Sequence, residues 1–305
     1  MRRFYALIIA FALVGCLSGP TALHGARVPP EIKTVVAFVF APGPAGGPPI
    51  PYGTGFFVGV KHPKDETKSF VYLVTAKHVL QSPDRRSWLQ NIFLRLNTKK
   101  GDLGFIELPI VPSGHGQTVF LHPTDTVTDV AIIPGLPDEK QFDFKFLPEE
   151  LLTSKQEFAN LKIVEGSEVF FTGLFSPHVG TRRNYPVIRF GRVALITDEK
   201  VKFGDHDADL YLVDTGAYGG NSGAPVFFYL GSDREPGTII LGPPVLKLAG
   251  VMSGTFLDIQ PVRAIETARI AVAPSSMGIA AVVPAYKVKE ILAGPELSRL
   301  RGQSN

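Results

Sequence analysis

Short apolar runs rich in β-branched and aromatic residues recur along the chain, with turn residues between them. One group comprises residues 35–41, 54–60, 70–76, 92–97, 104–110 and 129–135. A second group comprises residues 168–174, 187–196, 210–215, 224–230, 238–242, 248–254 and 278–284. Runs of this length, bounded by turn-forming residues, predict β-strands.

A charged segment, residues 138–162, separates the two groups and lacks clear strand patterns, although it contains a short helical pattern. Residues 285–294 have helical periodicity that ends at a Gly-Pro stop signal. This order predicts an all-β fold of two packed six-stranded antiparallel β-barrels, 35–137 and 163–293, with a helix closing the second. The apolar pattern alone does not distinguish two barrels from a β-sandwich.

The N-terminus has the pattern of an export signal. A basic start, Met1-Arg2-Arg3, precedes an apolar run of ten residues, 6–15, which is too short to span a bilayer. Cleavage after Ala26 would remove residues 1–26 as a signal peptide and give a soluble exported protein. Alternatively, Leu13-Val-Gly-Cys16 resembles a bacterial lipobox, in which lipidated Cys16 would tether the chain to a membrane. A third interpretation makes Cys16 a small apolar residue of the signal core.

Cys16 is the only cysteine, so the mature chain is expected to have no intramolecular disulfide, although export places it in an oxidising compartment. We therefore expect a periplasmic, secreted or envelope-anchored bacterial protein. Hydrophobic residues make up 45% and charged residues 19% of the 305 residues, which is typical of a folded globular protein. The net charge of +3 and the lack of a basic cluster with interleaved aromatic residues exclude nucleic acid as an expected partner.

We expect no metal and no cofactor. Asp205, Asp207 and Asp209 offer hard oxygen ligands for a cation, but a solvated turn before the strand at 210–215 is the favoured interpretation. Four histidines lie in predicted loops without metal-ligand spacing and are interpreted as surface residues: His62, His115, His122 and His178.

Two segments of the first predicted barrel hold residues suited to proton transfer. In Tyr72-Leu-Val-Thr-Ala-Lys-His78, a strand delivers His78 at its end, where an imidazole is well placed as a general base. Asp129 directly precedes an apolar strand, where its carboxylate could be held against a histidine; Asp125 is a nearby competitor. Taken alone, His78 also fits a surface turn, and Asp129 fits a turn former.

Glycines surround Ser222 in the segment Asp214-Thr-Gly-Ala-Tyr-Gly-Gly-Asn-Ser222-Gly-Ala-Pro. Gly219 and Gly220 permit a bend that most residues would resist. Such a bend can turn the N–H groups of Gly220 and Ser222 toward one point and form an oxyanion hole. A glycine-rich turn with a structural serine is the alternative interpretation of this segment alone.

The motifs TAKH, TDVAI and GGNSGAP, in the order His, Asp, Ser, resemble those of chymotrypsin-like serine proteases, and more closely the bacterial trypsin-like, HtrA-type branch. The resemblance extends over residues 35–293. It implies that Ser222 attacks the scissile carbonyl, that His78 transfers its proton, and that Asp129 orients His78. It also implies that the N–H groups of Gly220 and Ser222 hold the oxyanion.

The same resemblance places a substrate pocket without charged residues at Gly216, Ala217, Ser253, Gly254 and Thr255, which predicts a small or apolar substrate side chain. The loop at 256–277 is expected to gate that pocket.

Three departures from the family pattern narrow the type. Asn221 stands where digestive members have an aspartate, so activation through an ion pair with a freed N-terminus is not expected. Ala224 replaces a glycine after the serine, which is a mild change. Only about a dozen residues follow the closing helix, so the PDZ domain of HtrA proteases is expected to be absent.

The sequence therefore predicts a serine endopeptidase that acts on protein or peptide substrates in the cell envelope. The alternative from another class is a catalytically silent module of the same fold that binds peptides or partner proteins. A third possibility is ester hydrolysis, since acyl transfer to a serine serves both reactions. The oligomeric state is left open.

Overall fold

The computed structural model describes residues 28–135, 137–231, 244–258 and 275–302. Within them, β-strands form a first sheet from the N-terminal half and a second sheet from the C-terminal half. The expectations for cleavage after Ala26 and for Cys16, the apolar run at 238–242 and most of the loop at 256–277 lie outside the described residues.

The first sheet is a curled half-barrel. Its strands are β1 (Val36–Ala41), β2 (Ile50–His62), β3 (Asp65–Thr75), β4 (Asn91–Asn97), β5 (Leu103–Pro109), β6 (Ala131–Pro134) and β7 (Leu147–Pro148). Six of them follow the antiparallel order β5-β4-β1-β2-β3-β6, and β7 pairs with β2 in parallel. β5 and β6 lie at the two ends of this order and do not pair with each other, so the first predicted barrel is open. The backbone of Phe120 occupies the outer edge of β6 through two hydrogen bonds with Ile132, of 2.8 and 2.9 Å.

The connector also differs from its prediction. It contains the short helix α1 (Lys155–Asn160) and also β7, which was not predicted because the connector is rich in charged residues. A capping box starts α1: the Ser154 hydroxyl accepts the N–H of Glu157, and the Glu157 carboxylate accepts the N–H of Ser154. The connector therefore adds a strand to the first sheet before the chain enters the second.

The second sheet closes into a six-stranded barrel. Its strands are β8 (Glu168–Gly173), β9 (Val187–Leu195), β12 (Tyr211–Asp214), β13 (Pro225–Leu230), β14 (Val245–Asp258) and β15 (Ser275–Pro284), while β10 (Val201–Phe203) and β11 (His206–Ala208) form a separate hairpin. The closed order is β12-β15-β14-β13-β8-β9, with every pair antiparallel. The helix α2 (Ala285–Leu292) follows β15 directly. The predicted all-β architecture of two sheets followed by a C-terminal helix is thus confirmed; the second sheet is a closed barrel and the first is open.

Three apolar clusters explain the hydrophobic pattern. One fills the first sheet and includes Val39 and Phe57. A second lies between the two sheets and includes Phe38 and Phe170. The third fills the second barrel and includes Phe171. Because β1 is buried on both faces, its sequence is apolar throughout rather than alternating.

The C-terminal region contains one more helix than predicted. α2 ends before Gly294-Pro295, and Pro295 starts α3 (Pro295–Leu300). Proline is suited to the first helical position because its fixed φ is helical and its missing N–H would have no helical partner. Among the described residues, no helix has the length and apolarity needed to cross a bilayer.

Candidate active site

His78 and Asp129 meet at one edge of the first sheet. β3 pairs with β6 in a register that sets Thr75 opposite Ala131. The residues that follow β3 and those that precede β6 therefore come together. Asp129 Oδ2 lies 2.7 Å from His78 Nδ1, and Asp129 Oδ1 accepts the backbone N–H of His78 at 3.0 Å. The structure thus places these two predicted residues side by side.

Ser253 of β14 completes the surroundings of the carboxylate. The sequence placed Ser253 on the pocket wall, whereas its Oγ donates to Asp129 Oδ2 at 2.5 Å. Burial raises the pKa of Asp129, but the charge of His78 and the hydrogen bonds from His78 and Ser253 outweigh burial and hold that pKa below its usual range. An ionised Asp129 beside Nδ1 favours the tautomer of His78 with its proton on Nδ1, which leaves Nε2 as the proton acceptor.

Asn221 organises the loop before Ser222. Its N–H donates to the Tyr218 carbonyl at 3.0 Å, its Oδ1 accepts the Tyr218 N–H at 2.8 Å, and its Nδ2 donates to the Leu174 carbonyl at 2.7 Å. Gly220, inside this turn, has a φ of +95°, in the left-handed region that favours glycine. Neutral hydrogen bonds within the chain therefore fix the bend at Gly220.

Thr54 of β2 connects the serine loop to the first sheet. Its N–H donates to the Ser222 carbonyl at 2.8 Å. Its hydroxyl donates to the Gly220 carbonyl at 2.7 Å and accepts the Leu174 N–H at 3.0 Å. Thr75 donates in turn to the Thr54 carbonyl at 2.7 Å. One fully buried side chain of the first sheet thus positions two segments of the second barrel.

The backbone next to Ser222 lies against the strand end that delivers His78. A Cβ on Gly223 would overlap the Thr54 carbonyl oxygen and the Thr75 hydroxyl and would come within 3.0 Å of the Ala76 nitrogen. In the part of the chain that the structure describes, no hydrogen bond joins Ser222 Oγ to His78 Nε2. Hydrogen bonds between a nucleophile and its base are often long before substrate binds.

Two N–H groups of the serine loop are available to an external acceptor. Those of Gly220 and Ser222 donate to no acceptor among the described residues. Ser176 Oγ donates to the Gly219 carbonyl at 2.9 Å. Because a peptide group is planar, fixing this carbonyl also fixes the Gly220 N–H on the side away from Ser176. The loop therefore offers the pair of donors that an oxyanion hole requires.

The structure places a charged side chain beside the residues that were expected to form the substrate pocket. Ala217 is buried, and Gly216, Gly254 and Thr255 are partly exposed. A Cβ on Gly216 would lie 2.6 Å from Nη2 of Arg189, so a guanidinium occupies the space beside this glycine. The sequence did not indicate a charge here, because Arg189 lies on β9, whereas Gly216 lies in the loop after β12.

A cavity of about 270 Å³ is lined in part by His78 and Asp129. The β10–β11 hairpin contributes Phe203 and His206 to its wall. Phe203 also lies 3.0 Å from where a Cβ on Gly254 would be. The hydrophobic pattern did not predict this hairpin, because its strands are only three residues long and half of their residues are polar.

A buried ion cluster connects the loop before Asp129 to α2. The Lys287 side chain, 9% exposed, lies 2.7 Å from carboxylate oxygens of both Asp125 and Asp209. Burial raises the pKa of Asp125, but hydrogen bonds from Lys287 and Thr128 and the charge of Lys287 outweigh burial and lower it to about 2. Asp125, the competitor of Asp129, is therefore engaged by Lys287.

The structure also places His122 and Asp205, which were expected to be a surface residue and part of a solvated turn. The surface interpretation of His122 is wrong, since its side chain is 7% exposed and its Nε2 lies 2.7 Å from a carboxylate oxygen of Glu290. Asp205 lies in the turn of the β10–β11 hairpin, after Gly204 with its φ of +63°. Within the described ranges, no group of three His, Cys, Asp or Glu side chains could hold a metal ion.

Structural comparison finds solved protease domains similar to this chain. One is the MamO protease domain from Magnetospirillum magneticum in its apo form, with 17% identity, a TM-score of 0.49 and coverage of 87% of this chain and 98% of that one. Another is the Rv3671c protease in an inactive form, with 15% identity, a TM-score of 0.42 and coverage of 86% and 89%. No family model and no curated protein matches the chain.

Proposed function

We propose that this chain is a serine endopeptidase that hydrolyses peptide bonds of exported or envelope proteins through an acyl-enzyme on Ser222. The observation that carries the proposal is the ionised Asp129 bonded to His78, next to a glycine-bent loop that presents Ser222. Burying a carboxylate beside an imidazole costs free energy, and a merely structural turn has no need of that arrangement.

In the proposed reaction, each residue has one part in acyl transfer. Ser222 Oγ attacks the scissile carbonyl carbon while His78 Nε2 takes the hydroxyl proton. The oxygen that becomes negative accepts the N–H groups of Gly220 and Ser222. His78 then gives its proton to the leaving amine as the C–N bond breaks. A water molecule, deprotonated by His78, next attacks the acyl carbon, and His78 returns that proton to Ser222 Oγ as the ester bond breaks. Asp129 stays ionised and stabilises the imidazolium.

A catalytically silent peptide-binding module is the second candidate. The lack of a hydrogen bond between Ser222 and His78 among the described residues favours it. Ester hydrolysis needs the same residues as peptide hydrolysis and is separated from it only by the substrate.

A fluorophosphonate probe applied to the purified protein tests the proposal, because the probe reacts with serines that a base activates. We expect labelling of the wild type, none of Ser222→Ala, and full labelling of Ser113→Ala, which alters an exposed loop serine. Labelling that persists in Ser222→Ala would exclude Ser222 as the nucleophile. An unlabelled wild type would favour the silent module.

Digestion of a peptide library by the wild type then separates the two hydrolytic reactions. Cleaved amide bonds with acyl-enzyme accumulation would support the endopeptidase. Hydrolysis of activated esters alone would support the esterase.

A further inference from the structure

We infer that the pocket beside Ser222 takes an acidic substrate side chain, Asp or Glu, on the acyl side of the scissile bond, and that Arg189 determines this specificity. The inference rests on the proposed function, because it concerns the same site. It replaces the small or apolar side chain expected from the sequence.

The position of the guanidinium is the first argument. Nη2 of Arg189 lies 2.6 Å from where a Cβ on Gly216 would be, and its Cζ lies 3.3 Å from the same point. Any side chain at position 216 would displace the guanidinium. The small residue in the loop after β12 thus leaves room for the guanidinium that arrives from β9.

The lack of a counter-ion is the second argument. Arg189 is half-buried, and its Cζ lies 4.8 Å from the ring centroid of Tyr218. In the described ranges it has no hydrogen bond or ion pair. Asp214, close in sequence to Gly216, pairs in register with Arg192 and is exposed. A partly desolvated guanidinium with only an aromatic contact retains its donors for an incoming anion.

The third argument concerns the face of the sheet on which the Arg189 side chain begins. In the β8–β9 register Arg189 lies opposite Phe171, and opposed residues share one face of a sheet. Phe171 belongs to the apolar cluster inside the second barrel. Arg189 therefore leaves from the inner face of the barrel and reaches its end at Gly216, whereas Arg192, three residues on, lies on the outer face.

The aromatic ring that contacts Arg189 belongs to a residue close in sequence to Ser222. Tyr218, which contacts Arg189, starts the turn closed by the hydrogen bond from the Asn221 N–H to the Tyr218 carbonyl, of 3.0 Å. Ser222 follows that turn directly. A side chain adjacent to a carbonyl bound at Ser222 would thus be near the guanidinium, where a carboxylate can accept two parallel N–H bonds. A lysine or arginine side chain would be repelled.

Matched peptides that differ only at the residue before the scissile bond test the inference. For the wild type we expect kcat/KM for Glu to exceed that for the isosteric Gln at least about tenfold, the scale of a hydrogen bond to a charged group. Arg189→Gln should remove that difference, and Arg189→Glu should favour Lys instead. Arg192→Gln is the matched control on the same strand and should keep the wild-type preference.

Two further measurements separate failure of the inference from failure of the proposed function. Equal fluorophosphonate labelling of wild type and Arg189→Gln would show that the variant is folded and that Ser222 is reactive. If Glu and Gln peptides were then cleaved equally by the wild type, or if Arg189→Gln kept the preference, the inference would be overturned and the endopeptidase would stand.

Calorimetric binding to Ser222→Ala tests the pocket without catalysis. Product-like peptides ending in Glu should bind at least about tenfold more tightly than those ending in Gln, and Arg189→Gln added to Ser222→Ala should equalise them. That result would support the specificity of the pocket even if the wild type were not labelled. Equal binding of both peptides to Ser222→Ala would contradict it.

Discussion

The histidine side and the serine side of the candidate site are held in place by different forces. On the histidine side, charges decide the geometry: Asp129 is ionised against His78, and Asp125 is paired with Lys287. On the serine side, neutral hydrogen bonds and steric fit decide it, through Thr54 and the glycine that follows the nucleophile. The first side should therefore respond to charge and pH, and the second to small changes in shape.

Removing the charge of Asp129 should have the largest effect. Asp129→Asn leaves the shape almost unchanged but loses the acceptor that holds the His78 tautomer, so we expect kcat to fall by about 10⁴-fold. Peptide hydrolysis at neutral pH measures this, and Asp207→Asn, an exposed change on the β10–β11 hairpin, is the control. A variant within tenfold of the wild type would show that charge does not govern the histidine side.

A single added methyl group should break the serine side. In Gly223→Ala the new Cβ overlaps Thr54 and Thr75 at a φ of +83°, so we expect a loss of about 3 kcal/mol in the free energy of unfolding and no probe labelling. Gly219→Ala is the matched control, since nothing lies within 4 Å of its Cβ position. Urea unfolding compares the two. Equal stability of both variants would contradict the steric argument.

Acid should weaken the histidine side selectively. The pKa of Asp125 in the folded chain is about 2, below its ordinary 3.8, so its contribution to stability is present above pH 4 and is lost as pH falls toward 2. The wild type should exceed Asp125→Asn by about 2 kcal/mol in unfolding free energy at pH 6, and the difference should vanish near pH 2. Urea unfolding across that range measures it. A difference that does not change with pH would exclude the buried charge as its cause.

Loss of one neutral hydrogen bond on the serine side should have the smallest effect. Ser176→Ala frees the Gly219 carbonyl, so the Gly220 N–H is less well oriented, and we expect kcat to fall by about five- to tenfold with little change in KM. The exposed Ser113→Ala is again the control. A five- to tenfold rise in KM with kcat unchanged would mean that Ser176 contacts the substrate rather than positioning the loop.

Local sequence patterns were sufficient to predict features that form within a single segment of the chain. The position of His78 just after a strand end could be predicted from the apolar run before it, and the bend at Gly220 from the glycines around Ser222. Arg189, Ser176 and Thr54 could not be identified, because their contacts join segments that are distant in the chain. No residue periodicity encodes such a pairing.

The open first barrel was missed for a related reason. Closure depends on which backbone takes the outer edge of β6, and Phe120 takes it from a segment without strand periodicity. The ion cluster of Lys287 is a second example, since its carboxylates come from a loop of the first sheet and from the chain after β11. The long apolar strands follow from the residue pattern, whereas the sheet edges follow from tertiary contacts.

Through Thr54, the proposed catalysis would depend on the spacing of the two sheets. Its backbone belongs to the first sheet, and its hydrogen bonds end on Ser222 and Gly220, in the second. A ligand or substitution that slid one sheet past the other by a fraction of an ångström would stretch those bonds and turn the oxyanion donors away. Under the proposed function, the apolar core between the sheets would therefore control the reactivity of Ser222 from a distance.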